Sequence, residues 1–338
     1  MKLFKRVSAL VLALALVFSL GACGAKDEGN TDGQLEEITF VLDWTPNTNH
    51  TGLYVAMEKG YFEEAGIHVT VVQPPEDGSE MMVASNRAQF GVSFQDYLAP
   101  AFSGDQPLGI TAVAALLQHN TSGIVSRKGE GMDRPAGMEG HKYATWDLPV
   151  EKATLNQVVE ADGGDFDKVE LIPSTVTDEV SALQSKSVDA IWIFYGWAGI
   201  ACETAGLDTD YFAFKDIDPL FDFYTPVVMA NNDFLAEKPE VAKAFLEALA
   251  HGYQDAIDDP EGAAEILMNA SPELKDSADL VIASQEYLAD QYVADAERWG
   301  EFDPARWSGF FQWLNDNDLV ETPIDPMAGF TNDFLPVK

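Results

Sequence analysis

Asp43, Trp44, Asn47 and His50 bring a carboxylate, an indole, an amide and an imidazole into one eight-residue stretch. They offer an acceptor, a flat apolar face and two groups that both donate and accept. That equipment suits holding a planar polar molecule. Further sets recur along the chain: Gln95 with Asp96, Trp146 with Asp147, Tyr195 with Trp197, and later Tyr224. Rings such as Tyr195 and Trp197 can flank a planar ligand by offset stacking, worth about 0.5–1.5 kcal/mol beyond area burial. Asp43, Asp96 and Asp147 around one cleft would oppose nitrate, sulfonate or phosphate. They would favour a neutral or cationic solute bearing N–H donors. Each residue also has a plain structural use. A single Asp commonly caps a helix, His50 sits just before a helix start at Thr51, and Trp44 or the Tyr195/Trp197 pair equally suits packing. There is no Gly-rich loop ending in Lys-Ser/Thr, no Gly-x-Ser-x-Gly and no His/Cys pair at metal-ligand spacing, so no catalytic set, metal or cofactor is expected.

These residues need strands to end beneath them. Ile38–Leu42 is β-branched and apolar, as a buried strand requires, and Pro46 stops any helix from running through the loop that follows. From Thr51 the apolar residues recur at helical spacing up to Lys59–Gly60. In open α/β sheets, ligands bind in loops of this kind at the carboxyl ends of strands. Gln89–Ser93 predicts the strand before Gln95 and Asp96, His141–Trp146 the one carrying Trp146, and Val188–Phe194 the one before Tyr195. The β/α alternation argues for parallel-rich sheets with flanking helices. The final third is different, with helical patterns at Pro239–Ile257, Glu261–Asn269, Ala278–Ala296 and Arg306–Asn315. Helices alone form no second sheet, so they are expected to return and cover the first lobe. The expected organisation is lobe 1 from residues 38–122 and 229–338, and lobe 2 from 123–228.

Ahead of these lobes, Lys2, Lys5 and Arg6 precede an apolar run, Ala9 to Leu20, too short to span a bilayer. The run ends in Leu20–Gly21–Ala22–Cys23. The expectation is a leader over 1–22, a lipid on Cys23 and a flexible polar tether over 23–37, anchoring the protein outside the cell membrane. Fifty-six acidic residues against twenty basic ones make nucleic acid a poor partner. Beyond Cys23 only Cys202 remains, so no intramolecular disulfide is expected and Cys202 reads as a small packed residue.

The run DWTPNTNHTGLYVAMEKGYFEEAGI, with GGDF at Gly163–Phe166, VDAIWIFYGWAGI at Val188–Ile200 and FYTPVV at Phe223–Val228, resembles the NMT1/THI5-like family of bacterial solute-binding proteins, and within it the formylaminopyrimidine-binding lipoproteins of thiamine salvage. The resemblance implies a two-lobed, periplasmic-binding-protein-like (type II) α/β fold, monomeric, handing a small planar heterocycle to an ABC-transporter permease. It implies a ligand such as N-formyl-4-amino-5-aminomethyl-2-methylpyrimidine, with riboflavin as the alternative. The same superfamily includes a thiamine pyrimidine synthase that carries a Lys and a His after the strand equivalent to Gln89–Ser93. This chain has Ser93–Phe94–Gln95–Asp96–Tyr97 there, and it lacks that enzyme's cysteine-rich segment before Phe223.

Overall fold

The computed structural model describes residues 35–337, so the leader, Cys23 and most of the expected tether lie outside the described residues. The first strand, β1 (Glu36–Val41), starts two residues before the apolar run. Glu36 and Glu37, expected in the tether, are strand residues. The reason is register: all six residues of β1 pair in parallel with β2 (Ile67–Val72), Glu36 opposite Ile67 and Glu37 opposite His68. Backbone pairing thus carries two charged residues that hydropathy alone would leave out.

The loop after β1 leads into α1 (Thr51–Glu58). Further on come α2 (Gly78–Ala84), β3 (Phe90–Ser93), α3 (Gln95–Phe102) and β4 (Ile110–Ala115). A second sheet holds β5 (Ser122–Arg127), β6 (Lys142–Thr145), β7 (Glu170–Pro173), β8 (Ala190–Phe194) and β9 (Thr209–Ala213), with α4 (Pro149–Ala161) after β6. A final strand, β10 (Val227–Asn231), returns to the first sheet and inserts antiparallel between β3 and β4. The sheet orders are β2-β1-β3-β10-β4 and β7-β6-β8-β5-β9. The chain therefore changes sheets between β4 and β5 and again between β9 and β10. Ser122 belongs to the second sheet and Val227 and Val228 to the first, one or two residues from the expected limits.

Four helices of the last third, α5 (Pro239–Asp258), α6 (Pro260–Ala270), α7 (Ala278–Ala289) and α8 (Pro304–Asp316), pack back on the first sheet and the crossovers. Phe245 of α5 stacks on Phe90 and Phe62, with ring centres 4.1 and 5.0 Å apart. α5 comes so close to α1 that a Cβ at Gly52 would strike the Tyr253 ring, and one at Gly252 the Gly52 carbonyl. Trp307, Phe310 and Phe311 are fully buried, and Phe310 stacks on Phe223 at 4.1 Å. That anchors the second crossover and, with it, one wall of the cleft. Cys202 is buried, and burial pushes its thiol up to about 11.

Candidate functional site

Two joined cavities lie between the sheets. The inner one, of about 70 Å³, is walled by Phe94, Trp146, Trp192, Phe194 and Phe223. The outer one, of about 690 Å³, is lined by Glu80, Met81, Pro100, Leu108 and Leu319, and both share Asp96, Tyr97, Leu148 and Val150. Large apolar side chains normally seek the core, and an exposed cluster marks a binding surface. Here Met81 is 44 % exposed, Tyr97 52 %, Trp146 41 %, Leu148 43 % and Phe194 36 %, and all five face this cleft. Phe94 from the first sheet and Phe194 from the second stack across the gap, ring centres 6.0 Å apart.

The polar groups are as selective as the walls. Among the described residues no Lys, Arg or His lines either cavity; the charged groups are Glu80, Asp96 and Glu151. Asp96 sits in the first turn of α3, where burial, with Glu80 adding, lifts its carboxyl from the ordinary 3.8 to about 6. Glu80 accepts the Ser93 hydroxyl. Glu151 is spent on structure: it accepts from the hydroxyls of Tyr143 and Thr145 and from the backbone N–H of Trp146 and Leu148, at 2.7 to 3.2 Å. It thereby holds the turn that presents Trp146. Ser122, Thr154 and Thr225 also line the inner cavity, each about 1 % exposed and without a hydrogen-bond partner for its hydroxyl among the described residues. Such orphaned hydroxyls are costly to bury and able to donate or accept.

Of the residues expected to bind ligand, the cavities bring together Asp96 and Trp146. Trp44 stands 52 % exposed at the end of the β1 loop and lines neither cavity. Its neighbours pair with one another. The Asn47 N–H donates to His50 Nδ1 at 3.2 Å, leaving Nε2 to donate to Asp43 at 2.7 Å, while the Asn47 side chain caps the short turn Thr48–His50. Gln95 and Tyr224 are buried against each other beneath the crossovers. The Gln95 carbonyl oxygen accepts the Tyr224 N–H, its amide donates to the Trp307 carbonyl, and the Tyr224 hydroxyl accepts the Asp303 N–H. Tyr195 and Trp197 lie in a π-helical turn, Tyr195–Gly199, that docks on the returning helices. Tyr195 meets Tyr287 of α7 with ring centres 5.4 Å apart, and Trp197 packs against the buried cluster of Ala264, Leu267, Met268, Leu274 and Val281. The Ser284 hydroxyl, which lies 2.6 Å from the Thr48 hydroxyl, donates to the Gly196 carbonyl and ties this turn to α7.

Residues 47–263 match the family described as NMT1/THI5 like, well over half of the chain. The chain belongs to the NMT1/THI5-like family. It is 28 % identical over 337 residues to the formylaminopyrimidine-binding protein of Halalkalibacterium halodurans, covering 98 % of this chain and 99 % of that one. It is 24 % identical over 330 residues to the 4-amino-5-hydroxymethyl-2-methylpyrimidine phosphate synthase THI13 of Saccharomyces cerevisiae, covering 89 % and 88 %. The fold matches the periplasmic aliphatic sulphonate binding protein SsuA of Escherichia coli with a TM-score of 0.65 at 13 % identity, over 87 % of this chain and 97 % of that one. The NMT1/THI5-like chain is thus a two-lobed α/β protein of the periplasmic-binding-protein fold. In this family member the sequence reading missed Glu80, Glu151, Ser122, Thr154 and Thr225. One signal was available: Glu151 stands three residues after Leu148, the spacing at which an acid reaches back to a helix start. The hydroxyls carry no local signature.

Proposed function

We propose that this chain is a lipid-anchored, extracytoplasmic solute-binding protein that delivers a thiamine pyrimidine precursor to an ABC importer. The ligand is N-formyl-4-amino-5-aminomethyl-2-methylpyrimidine or a related aminopyrimidine, and Cys23 carries the lipid. The observation that carries this reading is the cleft itself: among the described residues it has aromatic walls, carboxylates and unpartnered hydroxyls, and no cationic side chain. A flat ring bearing N–H donors and ring-nitrogen acceptors satisfies all three; an oxyanion could take only the hydroxyls and would be repelled by the carboxylates. The formylaminopyrimidine-binding relative, matched over almost the full length of both chains, supports the same ligand class. Sites for small molecules commonly enclose about 300–1,000 Å³, and the outer cavity falls in that range.

Isothermal titration with the formylaminopyrimidine, with hydroxymethylpyrimidine and with riboflavin tests the reading. Saturable heat from a pyrimidine is expected. Tight riboflavin binding with no pyrimidine response overturns it. The similarity to the yeast synthase favours an enzymatic second reading. Appearance of an internal-aldimine absorbance band on mixing with pyridoxal phosphate would support that reading instead.

A further inference from the structure

We propose that Ser122, Thr154 and Thr225 are the specificity-determining residues of this cleft: their hydroxyls read the ring-nitrogen and exocyclic-amine edge of the pyrimidine, while its side arm points into the outer cavity and is read loosely. The inference rests on the aminopyrimidine reading of the site and carries it further, to the orientation of the ring and the part of the molecule that is recognised.

Ser122 opens β5, Thr154 lies in α4 and Thr225 in the second crossover, and all three line the inner cavity about 1 % exposed. None of their hydroxyls has a hydrogen-bond partner among the described residues. A helical threonine can turn its hydroxyl to the carbonyl one turn back, as Thr204 does to Ile200 at 3.0 Å. Thr154, in the middle of α4, forgoes that bond. Ser122 is satisfied at its backbone, where the N–H donates to the Asn120 side chain at 2.8 Å, and not at its hydroxyl. Three unpaired hydroxyls in one chamber are costly to leave dry. A ligand edge that alternates donor and acceptor removes the cost, because each hydroxyl can accept from an exocyclic amine or donate to a ring nitrogen.

Volume sets the direction of entry. The inner cavity, about 70 Å³, has room for one edge of a six-membered ring, or for about two waters at about 30 Å³ each. The outer cavity, about 690 Å³, has room for the arm. Asp96 lines both and stands where the arm leaves the ring. A formamide N–H and a hydroxymethyl O–H each give that carboxylate one donor, so exchanging one arm for the other changes little. Deleting the exocyclic amine instead leaves a buried hydroxyl unpaired, and a site built to bond such a group rejects the analogue that lacks it.

The protein is titrated with three compounds. The first is N-formyl-4-amino-5-aminomethyl-2-methylpyrimidine; the second, 4-amino-5-hydroxymethyl-2-methylpyrimidine, changes only the arm; the third, 5-hydroxymethyl-2-methylpyrimidine, also lacks the 4-amino group. The third should bind at least about tenfold more weakly than the second, and the step from first to second should cost less than that loss. In the double variant Thr154→Val with Thr225→Val, which keeps the shape and removes two hydroxyls, the ratio between second and third should fall within about threefold. Ser122→Ala should lower the same ratio and serves where the double variant does not fold. A ratio under about tenfold in the parent, as water alone in the chamber would give, overturns the inference and leaves the pyrimidine-binding function standing. A ratio that the variants leave unchanged, or an arm exchange that costs more than the amine, does the same. Failure of all three pyrimidines to bind overturns the functional reading and this inference with it.

Discussion

Replacing Glu151 with Gln changes one atom and should loosen the turn that presents Trp146. Glu151 is only 3 % exposed, and each of its oxygens accepts one hydroxyl and one backbone N–H. Oε1 takes Tyr143 at 2.7 Å and Trp146 at 3.1 Å; Oε2 takes Thr145 at 3.0 Å and Leu148 at 3.2 Å. In glutamine one of those oxygens becomes NH2. A hydroxyl facing it can turn and accept, but a backbone N–H cannot. Whichever way the amide sits, Trp146 or Leu148 keeps a buried donor pointed at a donor. An unsatisfied buried group costs about 1–3 kcal/mol, and the surviving bonds weaken without the charge, so the total is about 2–4 kcal/mol. Unfolding entropy of about 2.1 cal/mol/K per residue over some three hundred residues converts this to a fall in Tm of about 3–6 °C. Asp147, at φ +67°, lies between the two affected residues, its N–H donating to the Thr145 hydroxyl at 2.9 Å and its carboxylate paired with Lys152. Pyrimidine affinity should fall as well, because the Trp146 ring loses its support. Scanning calorimetry and titration read the two effects. A Tm within about 1 °C of the parent together with unchanged affinity would refute the assignment of Glu151 as the organiser of this wall.

Asp96→Asn should act with opposite signs on stability and binding. The folded carboxyl stands near 6 against an ordinary 3.8, so its contribution is fully present below about 4 and is lost as pH rises through 6. The variant should therefore be more stable than the parent at pH 7.5, by at most about 3 kcal/mol, with the difference closing below pH 4 on thermal melts; a gap that ignores pH counts against the burial argument. Trp146→Ala should weaken pyrimidine binding by about 2–3 kcal/mol with little change in the unliganded melt, whereas Trp197→Ala, which removes packing against the buried cluster around Leu267 and Val281, should melt early. Normal melting of Trp197→Ala with lost binding would return that ring to the ligand. Cys23→Ser should release the protein into the medium, and retention at the membrane after a high-salt wash would place the anchor elsewhere.

Local sequence was enough for most of the elements and for the class of fold. Ile38–Leu42 is apolar and β-branched, so it forms a strand with or without knowledge of its partner, and Pro46 and the helical spacing after Thr51 fix strand, loop and helix. The switch from β/α alternation to helices alone is visible in the sequence, and in the structure α5 of that last third packs on α1. Periodicity reports which face of an element is apolar, not what that face meets. Tertiary structure decided that Asp43 answers His50 seven residues later, that Gln95 clasps Tyr224 across 129 residues, and that Trp197 turns away from the inner cavity onto helices of the other lobe. β9 was not expected, because Thr209–Ala213 is short and half polar and is stabilised by pairing with β5 rather than by its own composition. The hydroxyls of Ser122, Thr154 and Thr225 make the same point for the site. Serine and threonine are common everywhere on a chain, and these three stand out because strand, helix and crossover converge to bury them along the inner cavity with no hydrogen-bond partner among the described residues.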